Sequence, residues 1–295
     1  HAILAAGVYA GSSFVLMHRW DPIEALKLIA KERVKSFVGV PSMVLQMLEM
    51  ENFDAFDTSS LTSISYGGAP AMKKLGDLIS KRLPYVDAEN GYGLTEASAL
   101  VAYNSGEMYF KKSWSCGVAS PVCDLKIVDK FGSTSPKGDI GEVCVRGPNV
   151  VRGYWNNKQE TKQKFVEGWF TTGDIGRIDR DGLLEILDRS EDMLIRGGEN
   201  IYTIEVENTL VAHPEVIEAA VLGRSHPVLG QEVVGVVRIK SKSHISQKDL
   251  ILHCAKYIAA FKLPVEIKIT FNALPANAAG KILKRDLEKY FTKIR

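Results

Sequence analysis

Cysteine is scarce in this chain, and long apolar runs are absent. The chain has four cysteines in 295 residues, and none forms a CxxC pair or has histidines at metal-ligand spacing. Neither a disulfide scaffold nor a zinc site is therefore predicted, and we expect reduced, buried thiols. No apolar stretch approaches the ~18 residues that a helix needs to cross a bilayer. The sequence thus predicts no transmembrane segment.

An excess of charge of one sign is missing as well. The 37 basic residues nearly balance the 35 acidic ones, for a net charge of +2. This balance gives no electrostatic reason to expect a nucleic-acid partner. The apolar fraction of 45% and the charged fraction of 24% are those of an ordinary soluble globular protein, which we expect to be cytoplasmic. Two domains are expected, because 295 residues exceed the usual single core.

The start of the chain lacks an initiator methionine, a charged leader and a small-residue cleavage site, so no signal peptide is predicted. Residues 1–11 instead have the apolar composition of the inside of a helix. The simplest hypothesis is that the chain is the C-terminal part of a longer protein. An upstream segment of the same protein is then an expected partner.

Strands and helices alternate through the first hundred residues. Strands are predicted at 13–17, 36–40 and 61–66, and helices after residue 22, at 41–48 and at 72–83. Asp21 and Pro22 supply an N-cap and a proline at the first helical position. Such alternation indicates a parallel α/β sheet. Ligands of these sheets bind beyond the carboxyl ends of the strands.

Two glycine-containing loops are predicted at those strand ends. Residues 66–70 are small enough for a flat ligand to approach the backbone, although an ordinary tight turn would have the same composition. Residues 90–96 carry more specific chemistry. There Tyr92 offers an aromatic face to a base, Thr95 a hydroxyl to a phosphate, and Glu96 a hard oxygen ligand to Mg²⁺.

From about residue 104 to 187 the pattern changes to short strands bounded by glycines. The predicted strands are 125–128, 141–146, 150–155 and 183–187. They indicate a small β-barrel or a distorted sheet. Asp174 follows a glycine in this region and could accept two hydrogen bonds from a ribose diol. A turn aspartate that caps its own backbone is the alternative.

Residues 188–202 combine charges, a short apolar strand and a glycine pair, which we interpret as a hinge before a mobile lid. The lid is predicted to be a compact α+β domain. Its strands are predicted at 216–222, 233–239 and 265–270, and its helices at 206–212, 247–259 and 283–291. The predicted division is an N-terminally incomplete α/β nucleotide- and acyl-binding portion at 1–103, a β-barrel-like subdomain at 104–190 and the lid at 191–295.

Five motifs occur in the order and approximate spacing of the adenylate-forming enzyme superfamily, which the chain resembles over its whole length. They are residues 66–70, 91–96, 168–174, 188–200 and the pair Gly280-Lys281. The superfamily contains acyl-CoA synthetases, luciferases and peptide-synthetase adenylation domains. The resemblance covers about the last half of a typical member.

The resemblance implies roles for individual residues. Those implied to be catalytic are Lys281, Thr95 and Glu96, with Glu96 also the Mg²⁺ ligand. Those implied to bind ATP or AMP, the acid or coenzyme A are Gly68, Ala69, Pro70, Gly91, Tyr92, Gly93, Asp174, Arg189, Gly197, Gly198, Glu199 and Asn200. Asp174 and Arg189 would contact the ribose, and residues 197–200 would lie along the pantetheine tunnel. Lys281 would reach the site from the lid during adenylation.

The implied activity is that of an ATP-dependent ligase that joins a fatty or other apolar carboxylic acid to coenzyme A. The form of the 197–202 loop resembles that of the CoA ligases. An adenylation enzyme that loads a carrier-protein phosphopantetheine is an alternative, and a homodimer would be ordinary. A non-catalytic nucleotide-binding module is another alternative, because the glycine- and threonine-rich phosphate loop expected upstream of His1 is not in this sequence.

The chain departs from the family pattern at three places. Glu191 occupies the pivot position that is usually Asp or Lys, and Thr203 replaces a proline often found after Asn-Ile-Tyr. Ala276 and Asn277 replace a more usual basic or hydroxylic pair. None of these changes removes an implied role.

Overall fold

A computed structural model describes residues 2–69, 73–277 and 282–291, without the side chains of residues 2 and 73. The chain separates into two compact units. The N unit contains residues 1–172 and 176–186, and the C unit contains residues 173–175 and 187–295. The three-part division made from the sequence stays a prediction. Pro70 and Lys281 lie outside the described residues.

The helices of the N unit begin largely where local signals place them. Asp21 accepts a hydrogen bond from the Glu24 backbone N–H at 2.9 Å, with Pro22 at the first helical position, as predicted. The helix that follows ends at Arg33, which has a φ of +50°. The six helices found in the described part of this unit are α1 (Ala2–Tyr9), α2 (Pro22–Glu32), α3 (Pro41–Leu48), α4 (Lys73–Arg82), α5 (Gly106–Lys111) and α6 (Lys158–Lys164).

The first sheet is mixed. Its strands are β1 (Ser36–Gly39), β2 (Ser63–Gly67), β3 (Asp87–Leu94), β4 (Ala99–Asn104) and β5 (Val118–Ala119), in that spatial order. The pairs β1–β2 and β2–β3 are parallel, whereas β3–β4 and β4–β5 are antiparallel. The predicted parallel arrangement is confirmed for β1, β2 and β3, whereas the antiparallel strands β4 and β5 were not predicted from the sequence. Only a 3₁₀ turn separates β3 from β4, and a parallel pair needs a much longer crossover.

The core of the N unit lies where the helices cover this sheet. Leu26 and Ile29 of α2 and Ile79 of α4 are buried together with Ile64 of β2. The strand predicted at 13–17 is wrong, because that segment is irregular and the side chains of Phe14, Val15 and Leu16 are exposed.

The second sheet follows the order β10-β9-β7-β6, with β8 paired to β9. Its strands are β6 (Asp124–Val128), β7 (Gly141–Arg146), β8 (Phe165–Val166), β9 (Trp169–Ile178) and β10 (Leu184–Arg189). Of the two predicted forms, the distorted sheet describes it, because the order of the described strands is open, with β6 and β10 at its two ends. The strand predicted at 150–155 is wrong. That segment is mostly irregular, and its Val151 N–H donates to the Glu96 carbonyl in the β3–β4 connection.

The C unit is α+β, as predicted. Its sheet has the order β12-β11-β14-β13, and β15 pairs with β14 in parallel. The strands are β11 (Leu194–Arg196), β12 (Glu199–Ile201), β13 (Val216–His226), β14 (Gly230–Ile239) and β15 (Glu266–Thr270). The helices are α7 (Thr203–Val211) and α8 (Gln247–Cys254), and a 3₁₀ helix spans Lys284–Tyr290. The helix predicted at 283–291 is thus present as a 3₁₀ helix, whereas the helix predicted at 247–259 is shorter than expected and ends at Cys254.

Helix α8 begins with a capping box formed by Ser246 and Asp249. In the part of the chain that the structure describes, no helix combines the length and the apolar character needed to cross a membrane.

Candidate active site

The two glycine motifs of the N unit lie side by side. In the β2–β3 register Gly67 is opposite Gly91, so residues 66–69 and 90–94 lie at the carboxyl edge of the parallel strands. A Cβ at Gly67 would lie 2.4 Å from the Gly91 carbonyl oxygen, so no larger residue fits there. Gly68 has a φ of +80°, and a Cβ placed there would meet no atom within 4 Å in the described part of the chain, while Ala69 is half-buried. The edge is thus narrow at Gly67 and wider at Gly68 among the described residues.

The second motif is a strand rather than the predicted loop. β3 continues through Leu94, and Thr95–Ala97 then form a 3₁₀ turn into β4. A Cβ at Gly93 would lie 1.6 Å from the Ala99 carbonyl oxygen, so glycine is required where the two strands shift register. Ser98 and Ala99 have φ values of +54° and +114°. Non-glycine residues with positive φ store strain, which occurs preferentially at functional sites.

The three chemically specific residues of this motif differ in exposure. Tyr92 is half-buried and packs against two buried apolar clusters, one containing Ala102 and the other containing Ala97. Thr95 is exposed and Glu96 is half-buried. A hydroxyl and a carboxylate therefore follow the aromatic ring within four residues along the chain.

Glu96 has a partner that the sequence did not reveal. The Tyr154 hydroxyl donates a hydrogen bond to Glu96 Oε1 at 2.8 Å. Desolvation, followed by the hydrogen bond to Glu96 and the charge of that residue, raises the pKa of Tyr154 to about 12. The phenol is therefore protonated at neutral pH and remains a donor. Tyr154 follows Gly153 in the sequence, but this pair lies in a segment that was interpreted as a strand, so its contact with Glu96 was not predicted.

Glu96 is suited to Mg²⁺ only together with a substrate. Within the described ranges, no group of three or more His, Cys, Asp or Glu side chains could hold a metal ion. Mg²⁺ commonly uses one or two carboxylates and completes its coordination with waters and substrate phosphates. A single half-buried carboxylate next to an exposed hydroxyl fits that mode of binding.

In the C unit the two residues predicted to contact ribose are in contact with each other. Asp174 lies within β9 and is 5% exposed, so the turn alternative is wrong. Arg189 Nε lies 2.8 Å from Asp174 Oδ1, and the arginine side chain remains 44% exposed. The pair combines a buried acceptor carboxylate with an accessible donor.

The predicted hinge contains a tight hairpin. Arg196 is opposite Glu199 in the β11–β12 register, which leaves Gly197 and Gly198 as a two-residue turn. Their φ values of +59° and +91° are those of a turn in which both central residues adopt positive φ. Residues 197–200 are all exposed, and so is Glu191. The structure thus presents these four residues as one accessible strip.

A buried charge cluster next to the hinge was not predicted. Asp188 is 1% exposed and accepts hydrogen bonds from the backbone N–H and the hydroxyl of Thr203. Lys284 Nζ donates to the Thr203 hydroxyl at 2.7 Å and pairs with Glu207 at 2.9 Å and with Asp192 at 3.9 Å. Desolvation opposes a charged Lys284, but Glu207 and Asp192 outweigh it and raise the lysine pKa.

The residues on either side of the Gly280-Lys281 motif are held in place. Ile282 forms an antiparallel bridge with Ala276, and the Leu283 N–H donates to the Pro275 carbonyl at 2.8 Å. The role of Lys281 itself stays a prediction, because this residue lies outside the described part of the chain.

Comparison with models of known protein families shows which family the chain belongs to. The family model described as AMP-binding enzyme matches residues 1–155, and that of the AMP-binding enzyme C-terminal domain matches residues 205–281. The chain belongs to the AMP-binding enzyme family. This finding confirms the resemblance inferred from the five motifs.

Relatives of the chain are named as CoA ligases. A feruloyl-CoA synthase from Amycolatopsis is 35% identical over 282 residues, which are 95% of this chain and 57% of that protein. A 2-succinylbenzoate–CoA ligase from Bacillus cytotoxicus is 33% identical over 98% of this chain and 58% of its own length. The chain therefore spans a little over half the length of these relatives.

Solved structures show the same fold. The o-succinylbenzoate CoA synthetase of Bacillus subtilis in complex with its acyl-adenylate superposes with a TM-score of 0.85 at 31% identity, over 97% of this chain and 57% of that one. The amide bond synthetase McbA of Marinactinospora thermotolerans superposes with a TM-score of 0.86 at 31% identity, over 94% and 57% of the two chains.

Proposed function

We propose that the protein containing this chain is an AMP-forming acid–thiol ligase, which converts a carboxylic acid to its adenylate and then to its CoA thioester. The observation that carries the proposal is the edge of the first sheet in a member of the AMP-binding enzyme family. There Gly67 and Gly91 adjoin, and Tyr92, Thr95 and Glu96 follow along one strand and turn.

The chemistry requires two steps, because a carboxylate is a poor acylating agent at neutral pH. Attack of a carboxylate oxygen on the α-phosphorus of ATP forms a mixed anhydride and expels pyrophosphate. The thiolate of CoA then attacks the acyl carbon, and AMP leaves with the electron pair of the broken C–O bond. Positioning and charge neutralisation dominate catalysis of such phosphoryl-centred reactions.

The described residues supply the groups that this chemistry needs. The exposed Thr95 hydroxyl can donate to an α-phosphate oxygen, and the ring of Tyr92 can pack against adenine. Asp174 can accept from the ribose hydroxyls, with Arg189 as the accompanying donor. Glu96 would hold Mg²⁺, which when bound neutralises charge on the phosphates.

Lys281 and the exposed strip of residues 197–200 are proposed to act in different steps. A lysine ammonium is a compact point charge that suits the oxygens shared by the carboxylate and the α-phosphate in the first step. The second step needs that charge withdrawn and a path open for the pantetheine thiol. We assign this path to Gly197, Gly198, Glu199 and Asn200, which are all exposed. A pivot near Glu191 would exchange the two arrangements.

We propose that the acid is apolar, and two classes are considered: fatty acids and aromatic acids. The fatty acid expected from the sequence rests on the family resemblance alone. The relatives named for feruloyl, 2-succinylbenzoate and 4-coumarate favour an aromatic acid. A panel of acids therefore has to include both classes.

The test is incubation of the intact protein containing this chain with ATP, Mg²⁺, CoA and the acid panel. AMP, pyrophosphate and a thioester should form only when a suitable acid is present. ADP in place of AMP, or no acid-dependent AMP at all, would overturn the proposal. The same assay with a carrier-protein phosphopantetheine or an amine in place of CoA identifies the acceptor. An amine is included because the amide bond synthetase shares this fold.

The non-catalytic alternative has a distinct outcome in the same experiment. A nucleotide-binding module would bind ATP with Mg²⁺ in calorimetry, yet release no pyrophosphate with any acid. Acid-dependent exchange of labelled pyrophosphate into ATP would exclude that alternative.

A further inference from the structure

The turn that carries Glu96 is bonded residue by residue to a segment more than fifty positions later in the chain. The Val151 N–H donates to the Glu96 carbonyl at 2.8 Å, and the Asn149 side-chain amide donates to the Ala97 carbonyl at 2.9 Å. The Ser98 hydroxyl donates to the Asn149 carbonyl at 2.8 Å. We call residues 149–154 the clamp segment.

The turn needs such external support. A 3₁₀ turn of three residues is too short to stabilise itself, and it leads into two non-glycine residues with positive φ, Ser98 and Ala99. Strained backbone of this kind persists only when surrounding contacts over-determine it. The clamp segment makes those contacts on three successive residues.

Tyr154 ends the clamp segment and is itself held firmly. Its backbone N–H donates to Thr161 Oγ1 at 2.9 Å, and its ring packs edge-on against Phe165 at 5.7 Å between centroids. A Cβ at Gly153 would lie 2.3 Å from Thr161 Cγ2, so helix α6 packs closely beneath this point. The hydroxyl that meets Glu96 is thus delivered by a packed residue rather than by a mobile side chain.

We propose that Tyr154 is a positioning residue for Glu96 and sets the affinity of the site for a divalent cation. The hydrogen bond to Oε1 restricts the rotation of the carboxylate, while lone pairs remain on both oxygens for a metal. Partners that orient metal ligands in this way typically change metal affinity or activity by ~10–100-fold when they are removed. The inference rests on the proposed function, because it assigns the cation to the nucleotide site of that reaction.

The test compares Tyr154→Phe with Tyr85→Phe in the intact protein. Each substitution removes one phenolic oxygen and keeps the ring, but the Tyr85 hydroxyl contacts Thr58 instead of Glu96. Mg²⁺ is titrated in acid-dependent pyrophosphate exchange, and Mg²⁺-dependent ATP binding is measured separately by calorimetry. We expect Tyr154→Phe to raise the half-saturating Mg²⁺ concentration by ~10-fold or more. Saturating Mg²⁺ should restore the rate, and the KM of the acid should not change.

A double-mutant cycle with Glu96→Gln separates coupling from general damage. Tyr154→Phe should add little to the Mg²⁺ requirement of Glu96→Gln, because the group that it positions has already been altered. An unchanged Mg²⁺ dependence in Tyr154→Phe would overturn the inference. An equal change in Tyr85→Phe, or fully additive effects in the cycle, would also overturn it.

Failure of the proposed function gives a different result. If the unsubstituted protein binds Mg²⁺ and ATP but never releases pyrophosphate, the proposed function fails and calorimetry still decides the role of Tyr154. If it shows no Mg²⁺-dependent ATP binding, both proposals are overturned.

Discussion

Asp188 makes the free energy of unfolding depend on pH. Burial raises the pKa of this carboxyl from 3.8 to about 6, although Lys284 and the bonds from Thr203 and Arg189 oppose the shift. Between about pH 4 and pH 6 the folded protein therefore keeps a proton that the unfolded chain has lost. Stability from this group is complete below about pH 4 and decreases as the pH rises through the folded pKa.

The prediction concerns the difference in unfolding free energy between the parent protein and Asp188→Asn. This difference isolates Asp188, because the other titrating groups contribute equally to both proteins. The parent should lose about 3 kcal/mol of unfolding free energy relative to the variant between pH 4 and pH 7, as two pKa units correspond to about that energy. Urea unfolding at several pH values measures the difference. A difference that stays constant with pH would contradict the assignment.

The contacts of Thr203 explain why a threonine is tolerated at a position where the family often has proline. Its backbone N–H and its hydroxyl both bond Asp188, and the hydroxyl also accepts from Lys284. A proline at this position would have no N–H to donate. The threonine therefore adds two donors to a carboxylate that is almost completely buried.

Thr203→Val should lower the stability of the C unit by about 1–3 kcal/mol, because it removes a buried hydroxyl that bonds two charged groups. The matched control is Thr209→Val, whose hydroxyl bonds the Glu205 carbonyl inside α7. The control should cost well under half as much in the same urea experiment. Equal losses of stability in the two variants would show that the Thr203 hydroxyl stabilises the protein no more than the Thr209 hydroxyl does, despite its charged neighbours.

At the scale of elements, the junction between β3 and β4 has room only for glycine at position 93. Gly93→Ala places a methyl group where the Ala99 carbonyl lies, and backbone cannot move aside as a side chain can. We expect a loss of at least about 2 kcal/mol in unfolding free energy. Gly91→Ala on the same strand is the control, because its Cβ would lie 3.1 Å from the end of the Leu100 side chain and no closer than 4.0 Å to the Tyr66 carbonyl oxygen. Thermal unfolding of both variants measures the contrast, and similar melting temperatures would contradict it.

Local signals predicted several elements well. Asp21 and Pro22 start α2, and Pro41 starts α3, as expected from capping and from the fixed φ of proline. The apolar run at 13–17 did not become a strand, because apolar composition alone does not provide a pairing partner. The same applies to 150–155, where the Val151 N–H bonds the Glu96 carbonyl in the turn after β3 instead of a neighbouring strand.

At the scale of the whole molecule, the two-step proposal predicts that Lys281→Ala separates the half-reactions. Formation of the adenylate should slow by an amount corresponding to ~3 kcal/mol or more in the barrier, because the point charge at the reacting oxygens is lost. Thioester formation from supplied acyl-adenylate should be largely spared. Pyrophosphate exchange and single-turnover thioester assays measure the two steps.

Lys242→Ala is the control for that experiment, since Lys242 is an exposed lysine of the C unit. It should leave both half-reactions unchanged. An equal loss in both half-reactions of Lys281→Ala would contradict the separation of the two steps.

The sequence by itself determined the family, the starts of helices such as α2 and α3, and the residue types at the nucleotide motifs, because these depend on signals spanning only a few positions. The tertiary structure alone decided which polar groups meet. Tyr154 reaches Glu96 across 58 positions, and Lys284 reaches Thr203 across 81. Such contacts depend on how segments far apart in the sequence pack together. The spacing of motifs and the composition do not predict that packing. The antiparallel return of β4 beside β3 has a local origin instead, since a connection of four residues, 95–98, leaves no room for a crossover.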